Sequence, residues 1–328
     1  MILFGEVLLQ GCQPGGGAQR VSLEQTSYPP PPQTPQVLAL GNLRADGLPS
    51  KTETQLAEFF FGAAPEPGLG LVKPVSVAAV GARLLICDSA MNAVLQWDLA
   101  SRTLSEYSST DRPERPIVVR NAPNGDSLVI DVARNTLLRF SPDGSLVRRY
   151  APPNESFRPA GVACIGKEIW ITDAVGHCVA AFDADSGKFV RSIGGRGPGP
   201  AEFGAPLGMA ATPDRLVCVV DTFNDRVQVL DATGKWVRDV GRPGNQVGCL
   251  GRPKDVAVGP DGVIFVTDAS SQRVHAFDPT GRALLAFGEP ESGVGSLSMP
   301  AGICISEVCP LPDVMLPDGF KAAYYIAV

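Results

Sequence analysis

The sequence predicts an all-β fold of six four-stranded antiparallel blades set in a ring, and three observations carry that prediction. The first is a repeated stretch. Residues 219–241 read VVDTFNDRVQVLDATGKWVRDVG and residues 266–288 read VTDASSQRVHAFDPTGRALLAFG, 47 apart and identical at eight positions. The second is a series of prolines, Pro74, Pro116, Pro159, Pro206, Pro253 and Pro300, spaced 42, 43, 47, 47 and 47. The third is a series of aspartates in phase with them. Asp88, Asp131, Asp173, Asp221 and Asp268 each follow their proline by 14 or 15 residues. A period of this length, divided into short strands, is that of a β-propeller blade.

The unit from Pro253 shows the four strands in order. KDVAVG (254–259) alternates and meets the turn Pro260-Asp261-Gly262. VIFVTD (263–268) is β-branched and aromatic, as a buried strand requires. RVHAFD (273–278) alternates again and meets Pro279-Thr280-Gly281, after which RALLAFG (282–288) closes the unit. Proline sits at a strand start, where its missing N–H costs least. Ten residues after each repeated aspartate stands Asp98, Ser141, Asp183, Asp231 or Asp278, a second turn-forming position. No amphipathic helix of useful length intervenes.

The pattern of Pro followed by an apolar residue and Ala, then V-x-D, RVxxFD and a terminal FG resembles NHL repeats. Residues 203–288 carry it most closely, and the likeness extends over roughly 69–328. It implies a six-bladed propeller of the bacterial cell envelope that presents a broad face to a partner protein, an envelope redox protein such as a c-type cytochrome among them. No cofactor or metal is expected, and the propeller is expected to be a monomer.

Closure of the ring is the weak point of the sequence. AGICIS (301–306) and AAYYIAV (322–328) supply two strands of the last blade, separated by the proline-rich insertion EVCPLPDVMLPDGFK. Open blades leave unpaired sheet edges. LAEFFFG (56–62) is therefore expected to supply the closing outer strand, over 55–61, leaving the last blade one strand short unless PQVLAL (35–40) fills the gap. The propeller domain is expected over 35–328. Residues 1–34 read as a leader and tether, in which Leu9-Gln10-Gly11-Cys12 resembles a lipobox with Cys12 lipidated. That reading places the protein outside the cytoplasm, held to a membrane only through its lipid.

Charge and composition exclude some functions. With 28 Lys and Arg against 34 Asp and Glu, the net charge of −6 argues against nucleic-acid binding. Eight cysteines form no CxxC pair, and a disulfide between Cys304 and Cys309 is the one pairing proposed. The two histidines, His177 and His275, stand at different offsets in different units and do not read as one site. GGRGPGPAEFG (194–204) lacks the GK[ST] of a phosphate loop and reads as an interblade connection.

Two sets of side chains are candidates for function. The repeated aspartates could form a ring of carboxylates, but a fastening role suits them better, since it is needed once per blade and appears once per blade. The residues before the prolines include Lys73, Arg115, Arg158 and Arg252. With Arg226 and Arg273 from the turn before each third strand, they form an expected basic rim for an anionic ligand or an acidic partner. The competing reading pairs them with the repeated aspartates. The inner strands read as almost wholly apolar or small, with Asn121 the exception, so the chain is expected to be a binding or scaffold module and not an enzyme. The alternative is a lyase, lactonase or hydrolase propeller with a pocket at the channel mouth, calcium-dependent in one version.

Overall fold

The computed structural model describes residues 71–101, 103–107, 111–288, 297, 299–306 and 323–328, and the backbone of strands 2–6, 27–28 and 37–42. Five four-stranded antiparallel sheets follow one another along the chain. Blade 1 opens with Pro74–Val80, blade 2 with Pro116–Asn121, blade 3 with Pro159–Ile165, blade 4 with Pro206–Ala211 and blade 5 with Pro253–Val258. Within each blade the strands pair in sequence order, from this inner strand to the outer one.

Burial grades outward as this arrangement demands. The second strand of blade 2, Ser127–Asp131, is buried at all five positions, because neighbouring blades cover both its faces. The outer strand of the same blade, Leu146–Tyr150, alternates between half-buried and exposed before its buried Tyr150. Apolar clusters fill the space between successive blades. Leu85 and Val129, Ile130 and Ile171, Trp170 and Val219, and Val220 and Val266 each share one of four such clusters.

The two sequence markers are register partners. Pro74 lies opposite Asp88, Pro116 opposite Asp131, Pro159 opposite Asp173, Pro206 opposite Asp221 and Pro253 opposite Asp268. A register shift follows each proline, so the bulge is part of the repeat.

Where blades 4 and 5 begin, the connecting segment is pinned by a short parallel ladder. Gly195–Arg196 pairs with Glu202–Phe203, and Arg242–Pro243 with Cys249–Leu250. Phe203, Leu250 and Leu297 then plug the space over Gly194, Gly241 and Gly288, the last residue of each outer-strand motif. A Cβ on Gly241 would lie 2.5 Å from Leu250 Cδ1, and its φ of +77° favours glycine in any case.

The ring closes differently from the expectation of six four-stranded blades. Between blade 5 and blade 1 stands a five-stranded mixed sheet, ordered Ser27–Tyr28, Val37–Asn42, Ile2–Glu6, Tyr325–Ala327, Cys304–Ser306. Ile303 and Ile326 pack against Phe265 of blade 5, while Cys304 and Ala327 pack against Val77 and Ile86 of blade 1. The place beside Tyr325–Ala327 is taken by Ile2–Glu6, running parallel to it. No hairpin joins those two strands, so nothing imposes the antiparallel pairing found in the blades. Val37–Asn42 follows, in the region of the PQVLAL stretch. Residues 55–61, expected to close the ring, lie outside the described residues, as do Cys12 and Cys309.

Candidate functional site: the axial channel and its two mouths

Each repeated aspartate is buried at one end of the ring, where it collects backbone donors. Asp88 accepts from Val72 and Lys73 at 2.6 and 2.9 Å and from Ala90 and Met91 at 3.0 Å each. Asp131 accepts from the amides of Glu114, Arg115 and Ala133 and from the Arg134 guanidinium at 3.3 Å, and Asp268 from the amides of Gly251, Arg252 and Ser270. Asp173 accepts from Arg158, Val175 and Gly176. Asp221 departs from the pattern. It accepts from Gly204 N–H and from the side chains of Asn224, Arg226 and Gln228.

This geometry sorts the expected rim. At Lys73, Arg115, Arg158 and Arg252 the backbone amide meets the aspartate, and all four side chains are exposed. The guanidinium of Arg158 donates to the carbonyls of Glu155 and Phe157. Arg226 is turned inward, only 12% exposed, and is held by Asp221 at 3.0 Å and Asp239 at 2.9 Å. Arg273 is half-buried beside His275. Four of the six expected rim residues therefore present an exposed charge on this face. Between them lie exposed apolar side chains: Val72, Val175, Phe223 and Met299, the last two 74% and 66% exposed.

The histidines serve separate blades. His177 Nδ1 accepts the N–H of Ala205 at 3.0 Å. His275 is buried, with Nε2 3.1 Å from Ser271 Oγ and 3.9 Å from Asp268 Oδ2. Burial lowers the basicity of its imidazole, against a smaller opposing pull from Asp268. Gln228 holds the equivalent place in blade 4 and ties Ala201 and Glu202 of the pinned connection.

The axis itself holds what sequence reading passed over. Two residues after its proline, each inner strand carries Ser76, Val118, Gly161, Gly208, Asp255 or Gly302. Four residues after, it carries Ala78, Arg120, Ala163, Ala210, Ala257 or Cys304. Arg120 and Asp255 break these series, and they break them on opposite sides of the ring. Their side chains, 15% and 9% exposed, form an ion pair across the axis. Arg120 Nη1 also donates to Ser76 Oγ at 3.2 Å and to its neighbour's carbonyl, Val119, at 2.9 Å. Asp255 accepts Ile303 N–H at 3.1 Å. One polar cluster thus touches blades 1, 2 and 5 and the mixed sheet. The signal was present in the sequence, as two charged residues at positions otherwise small or neutral. Asn121, the exception noted there, donates to the Ala79 carbonyl.

At the other mouth lies a cavity of about 540 Å³. Its walls include Ala79, Ala211, Val258 and Ile305, one from each of four inner strands, with Thr212 and Ser306. Beside its Gly259 wall, Tyr324 Oη donates to Asp261, 3.1 Å from each carboxylate oxygen. Burial and the Asp261 charge both push the Tyr324 phenol upward. Among the described residues no three His, Cys, Asp or Glu side chains gather as a metal site.

Residues 250–277 match the NHL repeat family model. No curated protein matches the chain. Among solved structures it is similar to a catalytically inactive virginiamycin B lyase from Staphylococcus aureus with quinupristin, at 17% identity and a TM-score of 0.54, covering 70% of this chain and 73% of that one. It is similar to a gluconolactonase from Xanthomonas campestris, at 16% identity and a TM-score of 0.55, covering 71% and 79%. It is also similar to a protein of unknown function from Bacteroides thetaiotaomicron, at 13% identity and a TM-score of 0.58, covering 73% and 66%. The chain is thus a β-propeller that carries an NHL repeat. These likenesses correct the expectation that the chain is not an enzyme, because a lyase and a lactonase are built on the same fold. That expectation rested on inner strands read as nearly apolar, and it passed over Arg120 and Asp255.

Proposed function

We propose that this propeller binds an acidic protein partner on its proline-side face. The observation that carries the reading is the outward projection of Lys73, Arg115, Arg158 and Arg252, whose backbone amides alone meet the buried aspartates. Exposed cations set among Val72, Val175, Phe223 and Met299 suit an interface of apolar contacts within a charged border. The reading takes the mixed sheet as a sixth blade. It also keeps the setting that the Leu9-Gln10-Gly11-Cys12 stretch supports, a lipid-anchored protein of the bacterial envelope with a redox protein as its partner.

The test is capture of partners from envelope extracts by the full chain and by the Arg115→Glu/Arg158→Glu variant. A partner that binds the parent at low salt, and is lost from a variant with unchanged melting, supports the reading. Equal capture by both proteins overturns it.

A second reading is favoured by the cavity at the opposite mouth. Its volume falls within the ~300–1,000 Å³ of small-molecule sites, and the Asp261–Tyr324 pair stands against Gly259, one of its lining residues. Lyase or lactonase chemistry would be housed there. Turnover of a lactone or a streptogramin, abolished by Asp261→Asn, is the measurement that would establish it.

A further inference from the structure

At the mouth opposite the prolines, the fifth residue after each proline is Ala79, Asn121, Cys164, Ala211, Val258 or Ile305, and none carries a charge. Four of them line the cavity of about 540 Å³, and the amide of a fifth, Asn121, donates to the Ala79 carbonyl. Hydroxyls enter the lining at Thr212 and Ser306, and the rest of it is alanine, glycine, proline, valine and isoleucine. Such walls favour apolar surface and give an ion little in exchange for its water.

Charges do stand in the turns that contribute to the lining, over 81–83, 212–215 and 259–262. Their cations point elsewhere. Arg83 donates to Gln96 of its own blade and to the Pro142 carbonyl of blade 2, at 3.4 Å each. Arg215 reaches towards blade 3, where a Cβ on Gly166 would lie 3.8 Å from its Nη2. Their anions stay against the wall. Asp214 accepts the hydroxyl of Thr212, a lining residue. A Cβ on Gly259, another, would lie 2.6 Å from Asp261 Oδ1 and 2.9 Å from Tyr324 Oη. The phenol donates its one hydrogen to Asp261, so this edge of the cavity offers acceptors.

We infer that this cavity is a site for a small, mainly apolar molecule that carries an N–H or O–H donor and no negative charge. The apolar body lies against Ala79, Ala211, Val258 and Ile305, and the donor faces the Asp261 carboxylate. The inference rests on the reading of this mouth as a small-molecule site and names the ligand class, but it requires no turnover.

The test uses two fluorescent probes that share one aromatic body. Phenylnaphthylamine is uncharged and has a single N–H, and anilinonaphthalenesulfonate adds an anionic group to it. Both are titrated into the full chain, into Asp261→Asn, and into Ala211→Phe, which sets a ring into the cavity from an exposed position. Only the signal that Ala211→Phe removes, with its melting unchanged, is assigned to the cavity. Should that variant melt early, Ala79→Leu takes its place. The amine should bind in the cavity. The sulfonate should bind there more weakly by about fivefold or more, as like charges a few ångströms apart imply even in water, and Asp261→Asn should narrow the gap. An amine signal equal in the parent and the filled variant, or a sulfonate bound in the cavity as tightly as the amine, overturns the site. Amine binding without turnover of a lactone or a streptogramin would uphold this inference and defeat the catalytic reading. Turnover without amine binding would do the reverse.

Discussion

On the axis of the ring the guanidinium of Arg120, from blade 2, meets the carboxylate of Asp255, from blade 5. The pair is backed by Ser76 and by the amide of Ile303, so it ties the mixed sheet to three blades at the point where the ring closes.

Removing one partner should cost more than removing both. Asp255→Ala strands a largely buried guanidinium, and a loss of about 3 kcal/mol is expected. Arg120→Met/Asp255→Ala should recover much of it. Urea midpoints of the three proteins measure this, and a double variant weaker than either single one would contradict it.

The repeated aspartates should matter more than their turn counterparts. Asp268→Ala leaves the part-buried amide bonds of Gly251, Arg252 and Ser270 without their acceptor inside the protein, and a total loss of about 1–3 kcal/mol is expected. Asp278 lies in an exposed turn, where Thr280 and Arg282 bond it and hold its carboxyl down to about 2. Asp278→Ala should shift the thermal midpoint far less than Asp268→Ala. A folded-state pKa below the unfolded one gives stability that is full above the unfolded value and fades as pH falls through about 2.

Glycine at the end of an outer strand is required by space as well as by backbone. Gly241→Ala sets a Cβ against Leu250 at a φ of +77° and should destabilise by about 1–2 kcal/mol. Gly195→Ala meets nothing within 4 Å and serves as the control in the same melting experiment.

His275 should contribute an acid-sensitive component to stability. Its folded-state pKa lies below the unfolded value of about 6.5, chiefly through burial, with Asp268 opposing and Arg273 reinforcing. The unfolded chain therefore takes up the proton first. Stability from this group is complete above the unfolded value and declines as pH falls through it towards the lower folded value. His275→Gln, which copies Gln228 of blade 4, should flatten that part of the pH–stability curve between about pH 7 and 5. An unchanged curve would show that His275 does not titrate in this way.

What repeats in this protein was legible in its sequence, because each blade solves the same local problem with the same residues. A proline opens the inner strand, an aspartate ends the second, and the two turn out to be register partners in all five blades. The place of Lys73, Arg115, Arg158 and Arg252 at one end of the ring could be read from that phase, but that their side chains face solvent instead of the aspartates could not. Closure could not, since the pairing of Ile2–Glu6 with Tyr325–Ala327 joins segments that share no period with the blades. Nor could the axis. Arg120 and Asp255 lie 135 residues apart, and each is a single departure within its own blade. Only the closed ring sets blade 2 opposite blade 5, turning two isolated charges into one buried pair.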